Sequence, residues 1–201
     1  MAKAEEIPGL TPDLAYGEAA ARILRVRAQE LIDHAEGVLD VGDIERVHDM
    51  RVATRRLRAA LEVFEPCFPR AQYRSVLAEV KELADALGER RDRDVGIDSL
   101  HAFAEKLATP DRPGVESLVS KLRDEQAAAN EALVPYVGEE RLTALHARLG
   151  ELAATASAGA SDAGSSEQAS EAAALAAGSK SNGGGLTSGD VPEDAGAEGS
   201  R

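Results

Sequence analysis

Aromatic residues are scarce. Three Phe, three Tyr and no Trp in 201 residues leave a core to be built from Leu, Val, Ile and Ala. Strands draw on aromatic and β-branched side chains, so this scarcity argues against a sheet and for helix packed on helix. Cysteine is nearly absent: Cys67 alone excludes an intrachain disulfide and fits a reducing compartment. No run of apolar residues reaches the roughly 18 that a membrane-spanning helix needs, so no membrane partner is expected. The first residues, MAKAEEIPGLTPDL, lack the apolar stretch of a secretion signal, and none is expected. Positive charge is also in short supply. Lys and Arg number 23 against 36 Asp and Glu, a formal net charge of −13. That balance argues against general coating of nucleic acid or of anionic membranes. It leaves room for a local anion site, because screening confines fields to about 8 Å.

What remains is helical in pattern. Thr11-Pro12-Asp13 signals the start of a helix over about 13–38. Asp43 is placed to cap a second helix ending at Glu65-Pro66. Pro69 opens a third, with Tyr73, Val76, Val80, Leu83 and Leu87 at helical spacing and Gly88 as its stop. A short fourth follows RRDRDV and ends before Pro110. Pro113 opens a fifth, broken by Gly138, and a sixth carries Leu142, Leu145, Leu149 and Leu152. These elements predict an all-α antiparallel bundle over 13–154, preceded by an N-terminal extension at 1–12. From Thr155 the composition changes: nine of eighteen glycines, seven acids against Lys180 and Arg201, and only three larger aliphatics. Such a segment buries too little apolar surface to offset its ordering entropy, and it is expected to be a disordered acidic tail.

Against this acidic background one stretch stands out. Residues 46–58, RVHDMRVATRRLR, hold five arginines and His48, offset by Asp49 alone. On a helical wheel Met50, Ala53, Leu57, Ala60, Leu61 and Phe64 share one arc. His48, Arg51, Arg55 and Arg58 share the opposite one, with Arg56 on a flank. Like charges at these spacings repel by a few tenths of a kcal/mol per pair. The bland account is that these arginines pair with acids on neighbouring helices. The functional account is an anion site, because guanidinium forks grip phosphate or carboxylate oxygens two at a time. Forks repeated about every helical turn suit an extended polyanion better than a compact phosphate.

The second basic cluster is LGERRDRDV at 87–95. Its net charge is zero, and it reads first as a turn capped by Asp92 or Asp94. A metal pair is the weaker reading, because two Asp without a third ligand bind divalent cations poorly. His34, His101 and His146 make no zinc-type spacing, so no metal or cofactor is expected. Cys67, between two bulky neighbours, reads as packing. Arg22, Arg25, Arg74 and Lys81 are further basic positions able to extend a groove.

VHDMRVATRRLRAAL, followed about thirty residues later by LGERRDRDV, resembles the CHAD domain, the conserved-histidine α-helical domain family. LVSKLRDEQAAANEAL and ERLTALHARL resemble the family's later helices more loosely. The resemblance covers about residues 14–153. It implies an all-helical, non-enzymatic module that binds inorganic polyphosphate in basic grooves. It also implies a cytoplasmic location, some members being associated with polyphosphate granules. Carried over by motif, the implied polyphosphate-binding residues are His48, Arg51, Arg55, Arg56 and Arg58 from the first, and Arg91 from the second. Specific nucleic-acid binding is not implied. The family has two related helical halves, and this chain shows one, since neither His101 nor His146 carries the arginine partners. A half-domain suggests a homodimer, favoured by ligand lying between two basic faces. Arg93 also stands where the family prefers an apolar residue. Two other readings stay open: an enzyme acting on phosphate chains, for which no Walker A pattern or nucleophile–base pair is visible, and a half-domain serving as a protein-interaction scaffold.

Overall fold

Among the described residues, five helices form where the apolar residues recur every three or four positions. A computed structural model describes residues 3–159. The helices are α1 (Tyr16–Asp33), α2 (Ile44–Val63), α3 (Arg70–Ala104), α4 (Arg112–Val137) and α5 (Glu139–Gly159), with single 3-10 turns at Glu65–Cys67 and Thr109–Asp111. No strand occurs among the described residues. None of these helices is long and apolar enough to cross a membrane. The all-α fold expected from composition is the fold observed.

α1 is sandwiched between α5 and α2; α2 packs on α3, and α3 on α4. Cross-helix contacts fix the directions. Arg91 meets Ile44 while Lys81 meets Glu62, so α2 and α3 run antiparallel. Arg90 meets Asn130 while Asp94 meets Gln126, so α3 and α4 do too. The core lies where these faces converge. Leu24 and Leu31 of α1, Met50, Leu57 and Leu61 of α2, Leu83 and Leu87 of α3, and Leu145, Leu149 and Leu152 of α5 are almost fully buried. The whole arc of α2 expected to be apolar, from Met50 to Phe64, is buried.

Several element boundaries differ from the sequence reading. α1 starts at Tyr16, because Thr11–Leu14 closes a turn of its own. It stops at Asp33, and Gly37, at φ 70°, turns the chain so that Val38 returns to the core as an anchor. A Cβ at Gly37 would stand 2.7 Å from Arg46 Nη1, the movable end of a side chain, so it is the positive φ that favours glycine here. Asp43 sits at the N-cap of α2 but makes no cap; its carboxylate accepts from Arg46 Nε at 3.0 Å.

The largest correction concerns α3. Gly88 does not end it, and neither Asp92 nor Asp94 caps a new helix: one helix of 35 residues runs through all three. A mid-helix glycine costs only about 1 kcal/mol relative to alanine. The buried stripe continues past it through Leu87, Arg90, Asp94 and Ile97. Arg90 and Asp94 hold their place in that stripe by pairing with each other, Nε to Oδ1 at 3.1 Å, with both side chains wholly buried.

Residues 5–10 are strapped along α1. Glu5 N donates to Glu30 Oε1 at 2.6 Å, Arg27 Nη2 donates to the Glu5 carbonyl at 3.2 Å, and Arg22 Nη1 donates to the Gly9 carbonyl at 2.6 Å. Ile7 and Leu10 pack against the core from outside. At the other end, Thr155–Gly159 continue α5, and Ser157 Oγ donates to Glu18. The rest of the segment expected to be a tail, 160–201, lies outside the described residues.

Candidate anion-binding surface

α2 carries five arginines against Glu45, Asp49 and Glu62. Burying its apolar arc against α1, α3 and the core decides where each arginine points. The six positions picked from sequence fall into three environments.

Arg51 and Arg55 are exposed. Among the described residues neither has a carboxylate within 4 Å (the salt-bridge limit) or a side-chain hydrogen bond. Arg51 leans toward α3 at Gly88, where a Cβ would stand 3.9 Å from Arg51 Nε. A larger side chain there would fill the groove between the two helices that the guanidinium overhangs. His48, half-buried, lies one turn before Arg51 on the same arc.

Arg58 shares that arc but is engaged. Its Nε donates to Glu62 Oε1 at 2.9 Å, and Lys81 Nζ of α3 lies 3.9 Å from the same carboxylate oxygen. The hydrogen bond to Glu62 holds the guanidinium more firmly protonated than usual. The Asp85 carboxylate of α3 also acts on Arg58, so Glu62 and Asp85 balance Arg58 and Lys81 at this end of the row. Lys81 adds a cation here from α3.

Arg56 and Arg91 face protein. Arg56 turns toward α1, with Nη1 3.8 Å from Oε1 of the buried Glu30, whose other oxygen pairs with Arg27 at 2.6 Å. Arg91 bridges from α3 to the start of α2, donating through Nη1 to the Ile44 carbonyl at 2.9 Å and lying 3.4 Å from Glu45 through Nη2. Its side chain is only 16% exposed, so its donors are largely committed to holding α2 on α3.

Beneath this surface lies a polar network that sequence reading missed. Arg90 Nη1 donates to Asn130 Oδ1 at 2.8 Å, Gln126 Nε2 donates to Asp94 Oδ1 at 2.6 Å, and Asn130 Nδ2 donates to the Leu39 carbonyl at 3.0 Å. Arg90 Nη2 and Asp94 Oδ2 remain buried without a hydrogen-bond partner. The signal was present in the sequence: Leu87, Arg90, Asp94 and Ile97 keep a core spacing, and Arg90 and Asp94 stand four apart with opposite charge.

Among the described residues, one group of side chains has metal-ligand character. The ligand atoms of Glu45, His48 and Asp49 all lie within 4.8 Å of one another at the N-terminal end of the row. Arg91 Nη2 beside Glu45 competes for one of those carboxylates.

A family model for the CHAD domain matches residues 22–181. That match runs past Ala154 and into the segment that composition marks as tail. Among solved structures, the CHAD domain from the plant Ricinus communis aligns with a TM-score of 0.56 and 27% identity, over 77% of this chain and 52% of that one. The chain thus spans about half the length of that structure. No curated protein matches. With the family model covering most of the sequence and the helical body superposing on a solved member, the chain belongs to the CHAD domain family.

Proposed function

We propose that the α2–α3 face binds inorganic polyphosphate, with Arg51 and Arg55 as its principal contacts. Arg58 and Lys81 extend the row, and His48 contacts the chain at its N-terminal end. The observation that carries this reading is the pair of exposed guanidiniums without a carboxylate partner among the described residues, in a protein of net charge −13. Arg46, Arg56, Arg58, Arg90, Arg91, Arg93, Arg141 and Arg148 all have acids beside them, whereas Arg25, Arg70, Arg74, Arg112 and Arg123 also lack a carboxylate within 4 Å among the described residues. The choice of Arg51 and Arg55 therefore rests on their neighbouring places on the α2 arc with His48 and Arg58. Leaving Arg51 and Arg55 unpaired costs α2 some like-charge repulsion, which a bound anion relieves. Arg51 and Arg58 are separated by about 10 Å along the helix axis. A linear chain of phosphates can engage donors over that span, whereas a single phosphate cannot. Membership of the CHAD family, generally linked with polyphosphate, supports the same reading.

The proposal is of binding without turnover. Fluorescence anisotropy of end-labelled polyphosphate, run across a salt series beside a DNA duplex of matched charge, tests the binding. Affinity should fall linearly on logarithmic axes as salt rises, by the counterion release known for nucleic acids. Polyphosphate should bind tighter than the duplex at every salt concentration. Equal or tighter DNA binding would make the surface a general polyanion site. Phosphate release in Mg²⁺ would replace the proposal with a hydrolytic one centred on Glu45, His48 and Asp49, the described group able to hold a cation beside the row.

A further inference from the structure

Gly88 stands in the interior of α3, where glycine is disfavoured relative to alanine. The backbone does not call for it: among the described glycines only Gly9 and Gly37 have positive φ. Close packing does not call for it either. A Cβ at Gly96, about two turns on, would stand 3.3 Å from Leu122 Cδ1, so that glycine is explained by its neighbour. A Cβ at Gly88 would find Arg51 Nε at 3.9 Å and, apart from its own chain neighbours, no other side chain within 4 Å. Gly114 and Gly150 are open in the same way, but no guanidinium stands within 4 Å of a Cβ there. Carboxylates frame the position. Asp85 and Asp92, both exposed, lie about one turn before and after Gly88 on the same rim of α3. A polyanion laid along that rim meets both, whereas one that crosses at Gly88 passes between them.

We propose, resting on the polyphosphate reading of this face, that Gly88 is a notch that selects polyphosphate over other polyanions. With no side chain there, one phosphate group of the chain settles between α3 and the Arg51 guanidinium. Arg51 presents the Nε side of its fork to the notch, so Nε and one Nη donate to two oxygens of that phosphate. Polyphosphate suits this because each phosphorus carries bare anionic oxygens along a slender, unbranched chain. A DNA duplex holds its phosphates between sugars on the outside of a wide cylinder. It cannot lower one into a gap the width of a side chain. Charge alone attracts both polyanions; the notch admits only the first.

Anisotropy titrations of end-labelled polyphosphate and of the DNA duplex, with the full chain, test this. Gly88→Leu should weaken polyphosphate binding about tenfold or more, the worth of one charge-assisted hydrogen bond, and Gly88→Ala about threefold. Duplex binding should stay within about twofold of the parent in both, so the preference for polyphosphate shrinks. A merely structural role would not move that ratio. Far-UV circular dichroism should be unchanged; if Gly88→Leu loses helicity, Gly88→Ala reads the same question. In an Arg51→Gln background, Gly88→Leu should weaken binding little further, because the contact it blocks is already gone. Variants that bind polyphosphate as well as a parent that prefers it overturn the notch and leave the polyphosphate reading standing. So does an equal loss for polyphosphate and duplex, and so do fully additive losses with Arg51→Gln. A parent that binds no polyphosphate, or shows no preference for it, overturns that reading and the notch together.

Discussion

Arg51 and Arg56 are five residues apart on one helix, yet they face opposite chemistry. Arg51 reaches toward α3 at Gly88 and Arg55 is exposed one turn on along the same arc; Arg56 turns into the buried carboxylate of Glu30. Substitutions should separate these roles. Charge-assisted hydrogen bonds are worth about 1.5–3 kcal/mol each, so losing two and reversing their charge should weaken polyphosphate binding at least ~100-fold. Arg51→Glu with Arg55→Glu should do this while leaving the melting temperature within a few degrees, and anisotropy with thermal unfolding checks both. Arg56→Met should do the reverse, lowering stability and leaving affinity within about twofold, because exposed binding contacts are not what it supplies. Deeper still, Asp94→Asn leaves the Arg90 guanidinium buried without its counter-charge. Breaking a buried pair on one side costs about 3–5 kcal/mol, and urea unfolding should show it. Cys67 is held as packing rather than chemistry: burial pushes its thiol pKa up. It should react slowly with iodoacetamide in the native protein and quickly in denaturant. The arginine row was legible as a row because a wheel needs only sequence spacing. Which arginines are spoken for was not, since Glu30 and Ile44 lie on other stretches of chain, brought close only by packing.

At the level of elements, the helices were legible wherever apolar residues kept their period and prolines marked their starts, as at Pro69 and Pro113. Gly88 misled because a glycine after a leucine run resembles a helix stop, and because Arg90 and Asp94 hide the continuing core stripe behind polar names. That account has a consequence for stability. A Cβ at Gly88 meets only Arg51 Nε, at an ordinary contact distance of 3.9 Å. Gly88→Ala should therefore stabilise α3 by up to about 1 kcal/mol, read as a higher denaturant midpoint. A drop in stability instead would mean that α3 bends at Gly88. The α1–α5 contact carries a pH dependence. The Ser157 hydroxyl, and after it Arg22, hold the Glu18 carboxyl below its ordinary value of 4.5. A depressed acid stabilises the fold above its unfolded pKa, and the contribution disappears as pH falls through the lower folded value. Parent and Glu18→Gln should differ in melting temperature at neutral pH and converge as acid is added below about 4.5. A difference that persists unchanged into strong acid would assign Glu18 a packing role only.

The whole molecule sets acidic bulk against one basic face. The all-α class and the family were legible from composition and from the two motifs. The boundary at 154 was less so: Ala, Ser and Gly mark low complexity, yet α5 carries such residues to Gly159 because Ala153 and Ala156 are small enough to bury against its neighbours. The family match continues to 181. Residues 182–201 lie beyond both. They carry Asp190, Glu193, Asp194 and Glu198 against Arg201 alone. A covalently attached anionic segment competes with a bound polyanion for the same guanidiniums, and its effect is confined to the screening length. Deleting 182–201 should raise polyphosphate affinity by about twofold to fivefold at low ionic strength, and the gain should vanish above about 0.5 M salt, where screening shortens to a few ångström. Anisotropy titrations of the full chain and the deletion, side by side at both salt concentrations, measure it. Tighter binding by the full chain would reverse the argument, placing these acids in support of the site rather than in competition with its ligand.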